Sequence, residues 1–302
     1  TTRLVGSEMC IRDRCDISKE DARKMGIQIV PISVRFGDEE FLDGVEITHE
    51  EFYTRLAECD ELPKTSQPSP DTFMKVFNEA VAAGDDVLGI FISSDLSGTY
   101  QSACLAALDV EEETRKKLYM VDSRSASIGT ALLIREAVKL RDAGVNVSDI
   151  AAACTEMSKY IKLTAVVGSL KYLKMGGRLS GAAAFAGTML HITPVVSIED
   201  GKVVVIGKTR GKKAAEKLMH DKLIKDGLSL TRDFMFGHIN CSESLETFIN
   251  KSLTYISDVN GNVGVSSIGC SVGTHVGPGT YGIAYVEAAE SGMNRESIVK
   301  TA

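Results

Sequence analysis

The chain lacks several features that mark common functional classes. No two of its seven cysteines are close enough for a CxxC pair, so the usual zinc-ligand spacing is absent and no metal site is expected. An odd set of scattered cysteines favours reduced thiols and a cytoplasmic location. No stretch approaches the roughly 20 apolar residues of a membrane span, and no secretory signal is evident.

The net charge and the composition limit the possible functional classes and the number of domains. The net charge is −7, and lysine and arginine are scattered, whereas a nucleic-acid-binding surface needs a concentrated basic face. No nucleic-acid partner is therefore expected. With 44% hydrophobic residues and 302 residues in all, the chain can form a full core and two domains.

The most informative segment follows an apolar run. Val87 to Ile92 is typical of a buried strand, and Tyr100 to Leu108 is typical of a helix. The turn between them, Ser93 to Thr99, is rich in serine and precedes the free N–H groups of that helix. A strand, a hydroxyl-rich turn and a helix in this order predict an anion site.

The order of elements predicts an α/β protein with two domains and a ligand between them. In the first half, strand, loop and helix alternate, which predicts a parallel sheet with helices on both faces. The second half predicts a mixed α+β domain, with a hairpin formed by Pro194 to Ile198 and Lys202 to Ile206 around an Asp-Gly turn. We expect residues 15–159 to form the first domain and 160–302 the second. Residues 1–14 have no strand or helix period, and we expect a non-native or disordered leader.

Two hydroxyl-bearing loops are candidates for the anion site. Ser97, beside Gly98, is either an ordinary helix cap or a donor to the anion. Thr65 lies in a predicted loop, Lys64 to Pro70, and is either part of a polar turn or a second hydroxyl on one carboxylate.

Two cationic candidates and one apolar helix follow. Arg178, after Gly177, is either a solvated side chain or a cation near an anionic head or a partner surface. His275 lies in a predicted glycine-rich loop and is either solvated or close to a ligand. The predicted helix Gly181 to Leu190 is apolar nearly all round, which indicates either plain core or one wall of a tunnel between the domains.

Four motifs occur in an order that closely resembles the DegV family of bacterial fatty acid-binding proteins, over about Asp16 to Glu287. They are Lys64-Thr65-Ser66-Gln67-Pro68, Ser93-Ser94-Asp95-Leu96-Ser97-Gly98-Thr99-Tyr100, Gly176-Gly177-Arg178-Leu179-Ser180 and His275-Val276-Gly277-Pro278-Gly279.

The resemblance implies a non-catalytic carrier that buries one long-chain fatty acid and presents its carboxylate to a fatty acid kinase. It implies that Thr65, Ser97, Gly98 and His275 form the carboxylate site, with Arg178 near the head group. It implies no catalytic residue and no cofactor, and allows transient membrane contact.

Two further points belong to the comparison with the family. The resemblance associates Arg210 with docking of the kinase. Members begin with an apolar strand that ends in Asp-Ser-(Ser/Thr)-x-Asp-Leu, but here Arg14 stands where the serine belongs and the apolar strand is absent from the pattern.

A serine acyl hydrolase is the alternative, with Ser97 as nucleophile and His275 as base. The sequence around Ser97 does not have the G-x-S-x-G spacing that such hydrolases use, which favours the carrier.

Overall fold

A parallel sheet carries the first half of the α/β fold. The structure is a computed structural model that describes residues 9–12, 16–59, 61–181, 192–229, 231–254 and 261–288. The direction in which successive strands are added to the sheet reverses between its two middle strands. Open α/β sheets bind ligands past the strand ends at such a point. In spatial order the strands are β2 (Ile27–Val30), β1 (Met9–Arg12), β6 (Val87–Phe91) and β7 (Leu118–Asp122).

Strand β1 is the main difference from the sequence-based expectation in this sheet. Met9–Arg12 pairs in parallel with β2 along its whole length, and Ile11 also pairs with Ile90 of β6. The expectation that a first strand is absent is therefore wrong for these four residues, and the expectation of a non-native or disordered leader over residues 1–14 otherwise stays a prediction. The interior of a parallel sheet needs backbone partners on both sides, and the backbone of any residue except proline supplies them whatever its side-chain pattern.

A mixed sheet carries the second half. The predicted hairpin is confirmed, because β9 and β10 pair antiparallel around Asp200 and Gly201, whose φ angles are 47° and 81°. The edge pair β11 and β12 is parallel and the other neighbours are antiparallel. In spatial order the strands are β10 (Lys202–Thr209), β9 (Thr193–Glu199), β8 (Ile161–Val166), β13 (Tyr281–Val286), β11 (Phe234–His238) and β12 (Val263–Ser267).

A small antiparallel sheet corrects two further expectations. Its strands are β4 (Glu39–Leu42), β3 (Ser33–Phe36) and β5 (Lys64–Ser66). The pattern from Ile27 to Phe36 predicts one strand, but Pro31 has no N–H for a ladder, and β2 and β3 belong to different sheets. The predicted loop from Lys64 begins as β5, which pairs with β3.

Two helices begin at the capping signals that the sequence predicts. Thr48 and Glu51 form the predicted capping box, and Ser69 caps a helix that has Pro70 at its first position. Residues 182–190 of the predicted apolar helix lie outside the described residues. The helices are α1 (Lys19–Met25), α2 (His49–Glu58), α3 (Pro70–Ala82), α4 (Thr99–Asp109), α5 (Glu112–Arg115), α6 (Ile128–Asp142), α7 (Val147–Met157), α8 (Lys171–Met175), α9 (Lys212–Asp226), α10 (Ser242–Leu253) and α11 (Cys270–Val276).

Helix α6 joins the two sheets through one core. It packs on β6 of the parallel sheet and on β8, β11 and β13 of the mixed sheet. Its buried residues include Leu132, Leu133 and Ile134, consecutive positions that face in different directions. A helix that is buried all round belongs between layers, not on a surface. The boundary near residue 159 stays a prediction.

The described part of the chain contains no helix with the length and apolar character that a membrane crossing requires.

His220 in α9 supports a prediction about pH. Its side chain is buried, stacks on Phe248 at 5.1 Å between ring centroids, and lies 2.9 Å from Ser252 Oγ through Nε2. Burial lowers the pKa of His220. The positive charge of Lys251 lowers this pKa further, whereas the negative charge of Glu216 raises it. Since the unfolded state then binds the proton more readily, this histidine's contribution to stability is present above about pH 6.5 and is lost as the pH falls through the folded-state pKa.

We therefore expect the free energy of unfolding to fall less steeply between pH 7 and pH 5 in His220→Gln than in the wild type. Urea denaturation at several pH values measures both slopes. Equal slopes in the two proteins would contradict the prediction.

Candidate functional site

An apolar cavity lies between the two sheets. One wall comes from the mixed sheet, with Leu163, Ala165 and Val196 in it, and the opposite wall includes Ile92 and Ile128. About 740 Å³ of this space is free of atoms, part of it open to solvent. Its polar lining residues are Ser127, Arg178, His275 and Thr280.

Thr65 contacts His275, one of the residues that line this cavity. Thr65 Oγ1 lies 3.0 Å from His275 Nε2, a hydrogen bond in which the donor depends on the imidazole tautomer. The sequence predicts His275 in a loop, but it lies in the last turn of α11, and this expectation is wrong. The helix holds the imidazole, which is 8% exposed, against the small sheet that carries Thr65.

Ser97 and Gly98 approach from the parallel sheet. Ser97 Oγ is buried and donates to Thr99 Oγ1 at 3.0 Å, and Gly98 is the N-cap of α4 without a side-chain cap. A Cβ added at Gly98 would lie 2.3 Å from Gln67 Oε1. A side chain at this position would have to displace the amide end of Gln67, in the segment after Thr65. The two hydroxyl-bearing motifs are therefore neighbours in space.

Arg178 ties this loop to α8. Its Nε donates to the carbonyl oxygen of Leu96 at 3.2 Å, and its Nη1 donates to the carbonyl oxygen of Gly176 at 2.5 Å. Gly176 also packs on His275, since an added Cβ would lie 2.5 Å from His275 Nδ1. Arg178 and His275 thus share one neighbour, which places both cationic candidates at the same end of the cavity. We refer to Thr65, Ser97, Gly98, Arg178 and His275 as the polar cluster.

Asp16 lies behind another part of the cavity wall. It accepts hydrogen bonds from Ser127 Oγ and, at 2.7 Å, from the backbone N–H of Gly269. Burial raises the pKa of Asp16 to about 6, against the lowering effect of these two donors. Ser127 lines the cavity, and its hydroxyl is oriented by Asp16, which does not itself line the cavity.

The structure brings together all but one of the predicted site residues. Arg210 follows β10, is exposed, and does not belong to the cavity lining in the described part of the chain. Sequence reasoning assigns no site role to Gln67 or Gly176, although both belong to quoted motifs. Both pack closely on predicted site residues, Gln67 on Gly98 and Gly176 on His275, and nothing in the sequence indicates these contacts.

The fold and the cavity define a class: an α/β protein with a parallel and a mixed sheet and an apolar cavity that ends in hydroxyl and cationic groups. The chain belongs to the DegV family, whose model, described as an uncharacterised protein of that family, matches residues 14–288. A DegV domain-containing protein of Clostridium perfringens is 34% identical over 282 residues, which cover 90% of this chain and 95% of the relative. One from Clostridium acetobutylicum is 36% identical over 272 residues, 87% and 91% of the two chains.

Solved structures of the family share the fold. A fatty acid-binding DegV family protein from Thermus thermophilus has a TM-score of 0.83 and 29% identity, over 93% of this chain and 99% of that one. A Thermotoga maritima protein whose structure revealed a fatty acid binding function has a TM-score of 0.79 and 28% identity, over 93% and 99%. A stearic acid-binding protein from Eubacterium ventriosum has a TM-score of 0.81 and 28% identity, over 93% and 98%.

Proposed function

We propose that the protein binds one long-chain fatty acid, with the tail in the apolar cavity and the carboxylate at the polar cluster. The observation that carries the proposal is the cavity itself, whose apolar walls end at Arg178 and His275. The fatty acid binding of the Thermus thermophilus and Thermotoga maritima proteins supports the same ligand class.

The energetics fit an acid with a long tail. About fourteen methylenes at ~0.8 kcal/mol each contribute about 11 kcal/mol of gross transfer free energy. Ordering of the tail and of the protein offsets part of that gain. A buried carboxylate needs hydrogen bonds or a counter-charge, and the hydroxyls of Thr65 and Ser97, the cation of Arg178 and the imidazole of His275 supply both.

Native mass spectrometry tests the proposal. We expect gently purified protein to carry the mass of one fatty acid, and delipidated protein to take up palmitate far better than hexadecanol, which has the same tail length without the carboxylate. Protein that stays empty with both ligands would refute the cavity as a lipid site. Equal uptake of the two would refute the polar cluster as a carboxylate site.

The geometry favours a carrier over a hydrolase. A serine hydrolase needs a hydrogen bond between its nucleophile and its base. Here Ser97 Oγ donates to Thr99 and His275 Nε2 pairs with Thr65. We expect no Ser97-dependent turnover of p-nitrophenyl esters, with Ser97→Ala as the control; turnover that the variant abolishes would reinstate the hydrolase.

The proposal extends to presentation of the bound acid to a fatty acid kinase. Next to the polar cluster, Lys174 and Met175 are exposed, the latter at 59%, and Arg210 is exposed beyond β10. A protein that phosphorylates the carboxylate would contact such basic and apolar groups. Acyl phosphate formed from palmitate and ATP by a candidate kinase, trapped with hydroxylamine, should depend on this protein and decrease in Arg210→Ala. Acyl phosphate formation that is the same without this protein would contradict the extension.

Gly176→Ala tests the packing behind His275. The glycine has a φ of −74°, which alanine adopts without strain, so its effect comes from the contacts of the new Cβ, 2.5 Å from His275 Nδ1 and 3.1 Å from the carbonyl oxygen of Tyr172. We expect palmitate affinity to fall by about 1–3 kcal/mol, the usual cost of overpacking, as the imidazole moves away from Thr65. Isothermal titration calorimetry measures the change.

Gly207→Ala is the matched control, because its Cβ would lie 2.2 Å from Leu218 Cδ2, away from the polar cluster. Equal palmitate affinity in Gly176→Ala and Gly207→Ala would contradict a role for the packing of Gly176 on His275.

A further inference from the structure

Three side chains with metal-ligating atoms converge at the start of α11. Asp43 follows β4, His49 is the first residue of α2 and Cys270 is the first residue of α11. One ligand atom from each, an oxygen, a nitrogen and a sulfur, lies within 4.8 Å of the other two. Cys270 is a thiol and not part of a disulfide. Carboxylate, imidazole and thiolate together are a donor set that suits zinc(II).

Gly269 leaves a space among these donors. A Cβ built on it would lie 3.3 Å from Asp16 Oδ1, 3.4 Å from Asp43 Oδ2 and 3.4 Å from His49 Nε2. The φ of Gly269 is −72°, which any residue can adopt, so the backbone does not require glycine here. What glycine provides is the absence of a side chain that would crowd two carboxylate oxygens and an imidazole nitrogen.

The electrostatics of the cluster favour a cation. Asp16 Oδ1 and Asp43 Oδ2 lie on the same side of Gly269, 3.3 and 3.4 Å from the position of a Cβ built on it. Two neighbouring carboxylates are stabilised by a positive charge between them. The backbone N–H groups of Cys270 and Ser271 donate to Asp43 at 3.2 and 2.6 Å, which holds the carboxylate in place and leaves lone pairs for a metal.

The cluster is reachable from solvent. Asp16, Asp43, His49 and Gly269 line an open pocket that is separate from the apolar cavity. Asp43 and His49 therefore face this pocket, and the Cys270 thiol is buried beside them. Asp43 and His49 are six residues apart, but Cys270 follows His49 by 221 residues, which is why ligand spacing in the sequence does not reveal the set.

We propose that Asp43, His49 and Cys270 bind one divalent transition-metal ion, zinc(II) foremost, with Asp16 beside it. Metal–ligand distances of ~2.0–2.3 Å require the donors to draw together by about 1 Å. The Cys270 thiol gives up its proton to solvent on binding. The bound ion ties α2 and the end of β4 to α11, the helix that carries His275.

The test uses the full chain and metal alone. Zinc affinity is measured by competition with a chromogenic chelator, and cobalt(II) serves as the spectroscopic probe because a thiolate ligand gives a charge-transfer band. We expect one equivalent of zinc per chain, a cobalt–thiolate band, and an increase of Tm with zinc. We expect His49→Asn and Cys270→Ser to lose at least about 10–100-fold in zinc affinity, and Cys270→Ser to lose the band.

Two variants make the zinc test decisive: one outside the cluster and one at a partly buried ligand. Cys104→Ser removes a thiol outside the cluster and should keep the affinity and the band. His49 is only partly buried, so His49→Asn is informative even where Cys270→Ser folds poorly. Absence of the cobalt band, or a zinc affinity in His49→Asn equal to that of Cys104→Ser, overturns the proposal.

Discussion

Replacement of Thr65 by valine or of Ser97 by alanine is expected to weaken palmitate binding by about 1–3 kcal/mol each, roughly 5- to 150-fold in Kd. Thr65 contacts His275 and Ser97 follows Leu96, and both of these neighbours line the cavity. A buried carboxylate oxygen that loses its donor carries the full desolvation cost. Valine keeps the shape of threonine, so Thr65→Val removes the hydroxyl and its contact with His275 Nε2 without leaving a hole. Calorimetric titration of delipidated protein measures both variants.

Two controls separate the hydroxyl from its surroundings. Thr65→Ser keeps the oxygen and should restore most of the affinity. Ser66→Ala removes the next hydroxyl along β5, which is exposed and points to the other face of the strand, and should bind as the wild type does. If both Thr65→Val and Ser97→Ala bind palmitate with unchanged affinity, the carboxylate lies elsewhere.

Arg232→Met is expected to destabilise the fold by about 3 kcal/mol. Arg232 Nη1 donates to Glu136 at 2.7 Å, and the Glu136 side chain is only 2% exposed. Removal of one partner leaves a buried charge without its counter-ion, which typically costs 3–5 kcal/mol. Lys139 Nζ still contacts Glu136 at 2.8 Å, which places the effect at the low end of that range.

The effect reports on how α6 is joined to the mixed sheet, because Glu136 lies in α6 and Arg232 lies just before β11. Urea denaturation measures it, with Lys24→Met as the control for an exposed pair. Lys24 and Glu20 are 66% and 78% exposed, and such pairs contribute less than about 1 kcal/mol. Equal losses of unfolding free energy in Arg232→Met and Lys24→Met would show that the buried ion pair adds no more stability than the exposed one.

Elements with local signals were predictable from the sequence. The capping box of Thr48 and Glu51 and the Asp200-Gly201 turn depend on residues within a few positions of each other. Short-range hydrogen bonds and backbone preferences determine such features wherever the segment lies. The α/β class followed in the same way, from the regular alternation of apolar runs and helix starts.

Three errors share one cause. The sequence placed β2 and β3 in a single strand, His275 in a loop and no strand before Asp16. In each case a distant partner decided the conformation. Strand β3 pairs with β5, α11 begins where Asp43 accepts from its first N–H groups, and β1 is held between β2 and β6.

The sequence alone determined the family, the α/β class and the residue types of the candidate site, because those depend on motifs and on local periodicity. Only the tertiary structure decided which of these residues touch. It packed Gly98 on Gln67 and Gly176 on His275, and it brought Asp43, His49 and Cys270 within reach of one ion. Contacts across distant segments depend on how sheets and helices pack, and no short stretch of sequence carries that information.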